Sequence, residues 1–153
     1  MCAAKHEHTP GFMSSIFKNK CTRCRKGNLF QYNNAYDFKN MMKMNEYCSE
    51  CGQPFEPEVG FYYGTGFVSY GLSVLICVIS FVLWVATIGI SLEDNRIFWW
   101  MALNAILLIA TQPLLMRISR TIWLAIFIHY DSDWKLHPPA AAERTNNDAK
   151  NNW

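Results

Sequence analysis

Two long uncharged stretches occupy the second half of this 153-residue chain. Residues 67–90 and residues 97–116 contain no Asp, Glu, Lys or Arg over 24 and 20 positions, respectively. At about 1.5 Å of rise per residue, either stretch as a helix can cross a hydrocarbon core of roughly 30 Å. A soluble fold would have to bury both helices, and so short a chain has no other helices to surround them. We therefore predict two membrane-spanning helices.

Charged residues around these stretches predict their orientation. The short polar turn 92–96 joins them into a hairpin and contains one basic residue, Arg96. Arg117 and Arg120 directly follow the second stretch, and eight Lys or Arg residues precede the first. Because basic residues are retained on the cytoplasmic side of a membrane, we predict that both termini are cytoplasmic.

Two C-x-x-C pairs precede the hairpin, Cys21/Cys24 and Cys48/Cys51, with 23 residues between them. Each pair can turn tightly enough to place both sulfurs on one metal ion, and two such turns complete a tetrahedral site. A reducing cytoplasm favours a metal site over disulfides. We predict zinc as the metal. Iron suits the same four-thiolate geometry and is less favoured, and redox thiols or disulfides remain open alternatives.

Changes in composition divide the chain into segments. We predict a mainly α membrane protein, in which a small cytoplasmic zinc ribbon precedes a two-helix transmembrane hairpin. A ribbon this small depends on its metal for much of its folding free energy. Residues 38–44 could form a short helix within it. The predicted segments are a flexible N-terminal arm (1–20), a zinc-ribbon-like domain (21–58), an interfacial linker (59–66), the hairpin with a helical extension (67–130) and a disordered tail (131–153). Residues 119–130 either continue the second span or lie on the membrane surface.

Five basic residues cluster around the first cysteine pair: Lys18, Lys20, Arg23, Arg25 and Lys26. Two interpretations are favoured: a solvated surface that also moderates the charge of four thiolates, or a contact with an anionic lipid surface. RNA binding is a further, less favoured interpretation. The net charge of only +2 is too small to argue for nucleic acid, and we predict no nucleic-acid partner.

One face of the first stretch carries mostly small residues at helical spacing. These residues are Ser69, Ser73, Cys77, Ser80, Trp84, Thr87 and Ser91. Small side chains let helices approach closely in lipid, where side-chain hydrogen bonds can join them. Two interpretations stay open. The face packs on the second stretch, where Asn104 and Thr111 offer partners, or part of it docks another membrane protein.

Taken together, these residues resemble domain-of-unknown-function family 983, which consists of small bacterial membrane proteins. The likeness covers about residues 12–130. It rests on Cys21-x-x-Cys24-x-x-Gly27-x-Leu29-Phe30, Cys48-x-x-Cys51-Gly52, Phe55-Glu56, Gly60, Tyr63-Gly64 and Pro113-Leu114. Residues 61–64 and 38–41 are similar to the version found in the Bacteroidetes, whereas Thr22 replaces the proline usual after the first cysteine. The resemblance implies an inner-membrane protein with a cytoplasmic zinc ribbon, an association with respiratory genes and no assigned activity.

The sequence favours a binding module over an enzyme or a transporter. Four cysteines close the coordination shell of a metal. No Ser/His/Asp or Cys/His arrangement can be argued for His129 or His137. The spans contain no ionisable group of the kind that transporters use. We predict no catalytic residue and no small-molecule substrate. The expected partners are the bilayer and a larger inner-membrane complex, which the protein docks as an accessory or assembly subunit. The alternative is a metal-handling or thiol redox protein that uses exposed cysteines.

Overall fold

The computed structural model describes residues 10–89 and 95–141, and its regular structure is helical. The elements are a short helix α1 (Phe12–Phe17), a 3-10 turn (Phe61–Gly64), α2 (Thr65–Thr87) and α3 (Arg96–Phe127). No β-strand forms among the described residues, where three isolated antiparallel bridges join Lys20 to Asn28, Phe30 to Met44 and Tyr47 to Pro54. The predicted fold class is confirmed: two long apolar helices follow an N-terminal cysteine cluster. Predictions for residues 1–9, 90–94 and 142–153 lie outside the described part.

The helices α2 and α3 pack against each other in opposite directions. Both are long and apolar enough to cross a membrane, judged by length and composition alone. The Ser69 hydroxyl donates to Ser119 Oγ at 2.8 Å, and the Ser80 hydroxyl donates to Asn104 Oδ1 at 2.9 Å. The Asn104 amide also donates to Cys77 Sγ at 3.3 Å. The face of small residues on α2 is therefore used within the hairpin.

Among the described residues, the other hydroxyls of this face and that of Thr111 bond within their own helices. The Ser73 hydroxyl donates to Ser69 O at 2.9 Å, and Thr87 donates to Leu83 O at 2.8 Å. Thr111, expected to face α2, instead donates to Leu107 O at 2.8 Å. A hydroxyl without a partner across a helix interface can satisfy itself on the carbonyl one turn earlier. Asn104 is therefore the expected partner that bridges the helices.

The helix α3 continues beyond the second apolar stretch. Its 32 residues span about 48 Å, compared with roughly 30 Å for a hydrocarbon core. Of the two alternatives for residues 119–130, the structure has a continuous helix as far as Phe127. The buried residues of α3 all lie in its C-terminal half: Pro113, Leu115, Arg117, Ile118, Ser119, Arg120, Thr121 and Leu124.

The ribbon, defined here as residues 18–58, packs around this buried end of α3. Leu124 is fully buried in the same cluster as the four cysteines. The Thr121 hydroxyl donates to Asn19 Oδ1 at 2.9 Å, and the Trp123 indole donates to Phe61 O at 2.8 Å. The ribbon and α3 therefore share one hydrophobic core.

Two segments near the ribbon differ from what the sequence predicts. A helix, α1, forms within the predicted flexible arm, because Ile16 and Ser15 are buried and the Ser15 hydroxyl donates to Gly11 O at 3.1 Å. Residues 38–42 form consecutive turns, and Met44 forms an isolated bridge with Phe30, so that no helix forms over residues 38–44. The Asn40 amide donates to the Asp37 carboxylate at 2.9 Å, a local bond that competes with helix formation.

The described start of the predicted disordered tail also has contacts. We call residues 131–141 the C-terminal strap, because they return across the ribbon. The Asp131 N–H donates to Arg23 O at 3.2 Å, and the Ala140 N–H donates to Gln53 Oε1 at 3.3 Å. Both hydrogen bonds join residues that are far apart along the chain. The polar composition of the segment gives no sign of them.

Candidate metal centre

The first cysteine pair forms a tight turn closed by backbone hydrogen bonds. The Cys21 N–H donates to Gly27 O and the Arg25 N–H donates to Cys21 O, both at 2.8 Å. Arg25 adopts the left-handed conformation with φ 58°. A Cβ added at Gly27 would overlap Cys48 Sγ, so only glycine leaves room there for the opposite sulfur. The turn thereby brings Cys21 and Cys24 to one side.

The second pair repeats this geometry. The Cys48 N–H donates to Gln53 O at 2.9 Å, and the Gly52 N–H donates to Cys48 O at 3.0 Å. Gly52 has φ 69° and holds the position that Arg25 holds in the first turn. Glycine adopts this conformation freely, whereas other residues lose roughly 1–2 kcal/mol. The two turns form a pair of similar knuckles.

The four sulfurs converge at one place. Cys21 Sγ lies 3.7 Å from Cys51 Sγ, Cys24 Sγ lies 3.6 Å from Cys48 Sγ, and all four lie within 4.8 Å of one another. Four sulfurs at about 2.3 Å from a tetrahedral zinc ion stand about 3.8 Å apart. The sulfurs are also too far apart for disulfide bonds of about 2.05 Å. This donor set fits a metal ion held by four thiolates, and zinc remains the predicted metal.

The pKa values of these thiols also indicate that the site needs a bound cation. Burial raises the pKa of Cys51 to about 12. Hydrogen bonds with the Cys24 and Cys48 thiols raise the pKa of Cys21, whereas hydrogen bonds from Cys21 and Cys48 lower the pKa of Cys24. One thiolate can thus be stabilised by its neighbours, but several thiolates cannot coexist without opposite charge. A bound metal cation supplies that charge, because a coordinating thiol is deprotonated.

Arg23 is buried, whereas the sequence predicts that it belongs to a solvated basic surface. Only 5% of its surface is exposed. Its Nη2 donates to the Asp131 carboxylate at 3.3 Å, to His137 O at 2.8 Å and to Pro138 O at 3.2 Å. A buried guanidinium needs such partners, because an unpaired buried charge is costly. Arg23 therefore attaches the C-terminal strap to the first knuckle.

Asp131 is kept as a carboxylate at this junction. Desolvation, which raises its pKa, is outweighed by hydrogen bonds from His137, from the Asp133 N–H and from Arg23, so that the pKa of Asp131 is lowered. His137 Nδ1 lies 3.1 Å from the Asp131 carboxylate. His137 thus belongs to the strap contact. In the described part of the chain, the four cysteines form the one group of three or more potential ligands that could share a metal.

Arg117 joins the ribbon to α3, a role that its sequence position does not indicate. It is 1% exposed and donates to Met41 O at 2.8 Å, to Asn33 O at 3.1 Å and to Asn34 O at 2.9 Å. Its guanidinium also lies 4.7 Å from the centre of the Phe30 ring. Hydrogen bonds from a charged donor are stronger than neutral ones, so this side chain is a principal link between the two parts.

Arg120 makes a second link one turn further along α3. Its Nη1 lies 3.4 Å from Met42 O and 3.5 Å from Met44 Sδ, and its guanidinium lies 5.1 Å from the centre of the Tyr62 ring. Met44 and Tyr62 belong to the same buried cluster as the cysteines. Arg117 and Arg120, whose charges predict the membrane orientation, therefore also contact the ribbon.

Residues 38–128 match the family described as "Protein of unknown function (DUF983)". The matched residues make up more than half of the chain, so the chain belongs to this family and the resemblance seen in its sequence is confirmed. The match includes the second knuckle, α2 and α3, and it begins after the first knuckle. Comparison with curated proteins and with solved structures gave no significant match.

Proposed function

We propose that this DUF983 protein is a membrane-anchored zinc-ribbon binding module. In this proposal, Cys21, Cys24, Cys48 and Cys51 hold one zinc ion, and α2 and α3 anchor the ribbon in the inner membrane of a bacterium. The module docks a larger membrane complex as an accessory or assembly subunit and carries out no catalysis itself. The observation that carries the proposal is the convergence of four buried thiols in a core that also contains Leu124 of α3.

The shared core supports a docking role over a loosely tethered domain. Arg117 binds three ribbon carbonyls, and Trp123 binds the carbonyl of Phe61, which lies just before α2. These contacts fix α3 both to the ribbon and to the turn that leads into α2. A ribbon fixed in this way presents one defined surface to a partner, which reduces the entropy lost on binding.

The same contacts support placing both ends of the hairpin on one side of the membrane, by a route independent of charge counting. The ribbon precedes α2, and Thr121 lies near the C-terminal end of α3, beyond the uncharged stretch 97–116. Because the Thr121 hydroxyl contacts Asn19, both segments must lie on one side of any membrane that the hairpin crosses. The basic residues and the free thiols, which persist in a reducing compartment, then favour the cytoplasmic side.

The alternative is a metal-handling or redox protein that works through accessible thiols. Burial argues against it, since Cys21 and Cys24 are fully buried and Cys51 is only 9% exposed. The C-terminal strap further restricts access, because it contacts Arg23 beside Cys24 and Gln53 beside the second knuckle. Reactive cysteines are typically at least partly exposed. These features favour a structural site that retains its metal.

The test is purification of the full chain in a mild nonionic detergent, followed by elemental analysis and mass spectrometry of co-purifying proteins. We expect one zinc per chain and a reproducible membrane-protein partner. Cys48→Ser should lose both zinc and partner. Cys77→Ser is the matched control and should keep both, because Cys77 lies in α2 away from the cluster. Iron or no metal would contradict the zinc site, and zinc that exchanges readily with a mild chelator would favour the alternative.

A further inference from the structure

A cavity of about 400 Å³ lies between the ribbon and α3. Lys18, Lys20 and Arg117 contribute three positive charges to its lining, and no Asp or Glu lines it. Leu114 and the exposed ring of Phe17 form part of an apolar edge. The cavity thus combines a basic interior with an apolar border.

Two of the three cations that line this cavity, Lys20 and Arg117, donate to neutral groups. The Lys20 ammonium donates to Asn28 Oδ1 at 2.6 Å. The Arg117 guanidinium donates to three backbone carbonyls and makes no ion pair among the described residues. The nearby Asp37 carboxylate accepts from Asn40 and does not line the cavity. Concentrated positive charge with no carboxylate facing it favours binding of an anion.

The position of the cavity along α3 identifies the kind of anion. If α3 enters the hydrocarbon near Ile97, its rise places Leu114 about 26 Å and Arg117 about 30 Å further along the helix axis. The hydrocarbon core ends at about this distance. The Tyr36 hydroxyl donates to Ala110 O at 3.1 Å, so an aromatic side chain of the ribbon contacts α3 about one turn before Leu114. Aromatic residues are enriched at membrane–water interfaces.

We propose that this cavity binds the phosphate-bearing headgroup of an anionic phospholipid. The Lys18 and Lys20 ammonium groups donate to the phosphate, and Arg117 contributes its charge while its hydrogen bonds hold the ribbon. The acyl chains leave past Leu114 and Phe17 along the apolar surface of the hairpin. This inference rests on the proposed membrane anchoring, and it gives the ribbon a lipid contact in addition to its docking role.

The test compares lipid binding by the full-length protein in nonionic detergent, using native mass spectrometry titrations. The probes are phosphatidylglycerol, phosphatidylcholine and inorganic phosphate. The double variant Lys18→Gln/Lys20→Gln removes two charges while leaving an amide that can still bond Asn28. We expect it to bind phosphatidylglycerol about thirtyfold more weakly than the wild type. The control variant Lys43→Gln/Lys135→Gln removes two exposed charges outside the cavity and should bind like the wild type.

The outcomes separate the lipid site from its alternatives. Equal losses in the two double variants, or equal affinity for phosphatidylcholine, would overturn the site. Displacement of phosphatidylglycerol by inorganic phosphate at similar concentration would identify a free-anion site and overturn the lipid assignment. Metal content and membrane insertion are measured on the same samples. If they are normal and lipid selectivity is missing, only the lipid inference fails; if either is abnormal in the wild type, the proposed function fails first.

Discussion

Arg117→Met tests whether the ribbon is held on α3 by one buried side chain. The change keeps an apolar stem of similar length but removes the guanidinium and its three hydrogen bonds to Met41, Asn33 and Asn34. Each hydrogen bond from a charged group is worth about 1.5–3 kcal/mol. Part of this is regained, because the carbonyls of the exposed Asn33 and Asn34 can be hydrated. We expect the free energy of ribbon opening to fall by about 3–4 kcal/mol.

The assay is the rate at which bound metal passes to a strong chelator in nonionic detergent without added lipid. When opening is fast and reversible, this rate follows the open population. A loss of 3–4 kcal/mol therefore predicts an increase of roughly 10²–10³-fold. Arg25→Met is the control, since Arg25 is half-buried and stacks 3.9 Å from the centre of the Tyr130 ring. Its ring contact and its 3.4 Å hydrogen bond to Pro10 O are together worth about 1–2 kcal/mol, so the control should change the rate by no more than about thirtyfold. Similar rates for wild type and Arg117→Met would refute the reasoning.

Two further predictions concern the junction of the helices and the topology. Gly64→Ala adds a methyl group that would overlap the Trp123 indole. It should lower the free energy of unfolding by about 1–3 kcal/mol, and therefore the melting temperature. Gly66→Ala is the control, because its added methyl group meets nothing within 4 Å, and it should melt at the wild-type temperature or slightly higher. Equal melting temperatures for the two variants would contradict the packing of Gly64 on Trp123. Reporter fusions at either terminus should behave as cytoplasmic, and a fusion in the turn between α2 and α3 as external. Termini on opposite sides would be incompatible with the contact between the ribbon and α3.

The parts of the fold that the sequence predicts well depend on local signals. The spacing of the four cysteines indicates a shared site, and the structure brings their sulfurs within 4.8 Å. The uncharged stretches indicate two long helices, which the structure places at Thr65–Thr87 and Arg96–Phe127. Hydrophobicity and motif spacing are properties of neighbouring residues, so they can be detected without knowledge of tertiary contacts.

The parts that the sequence does not predict depend on backbone acceptors far along the chain. Arg117 bonds carbonyls of Asn33, Asn34 and Met41, and Arg23 bonds carbonyls of His137 and Pro138. Every residue carries a carbonyl, so these acceptors leave no distinctive pattern in the sequence. From the sequence alone an arginine indicates only its charge, so Arg117 predicts membrane topology and Arg23 predicts a solvated surface.

The dependence of the ribbon core on α3 sets an order for biosynthesis. All four cysteines are made before either long helix, and Arg117 follows Cys51 by 66 positions. At a translation rate of about 5–20 residues per second, roughly 3–13 s pass between them. During this interval both knuckles can acquire metal, while the surface that later covers Leu124 has no helix to pack on. The metal site is thus able to form before the hairpin is inserted, and insertion of the hairpin is the step that completes its core.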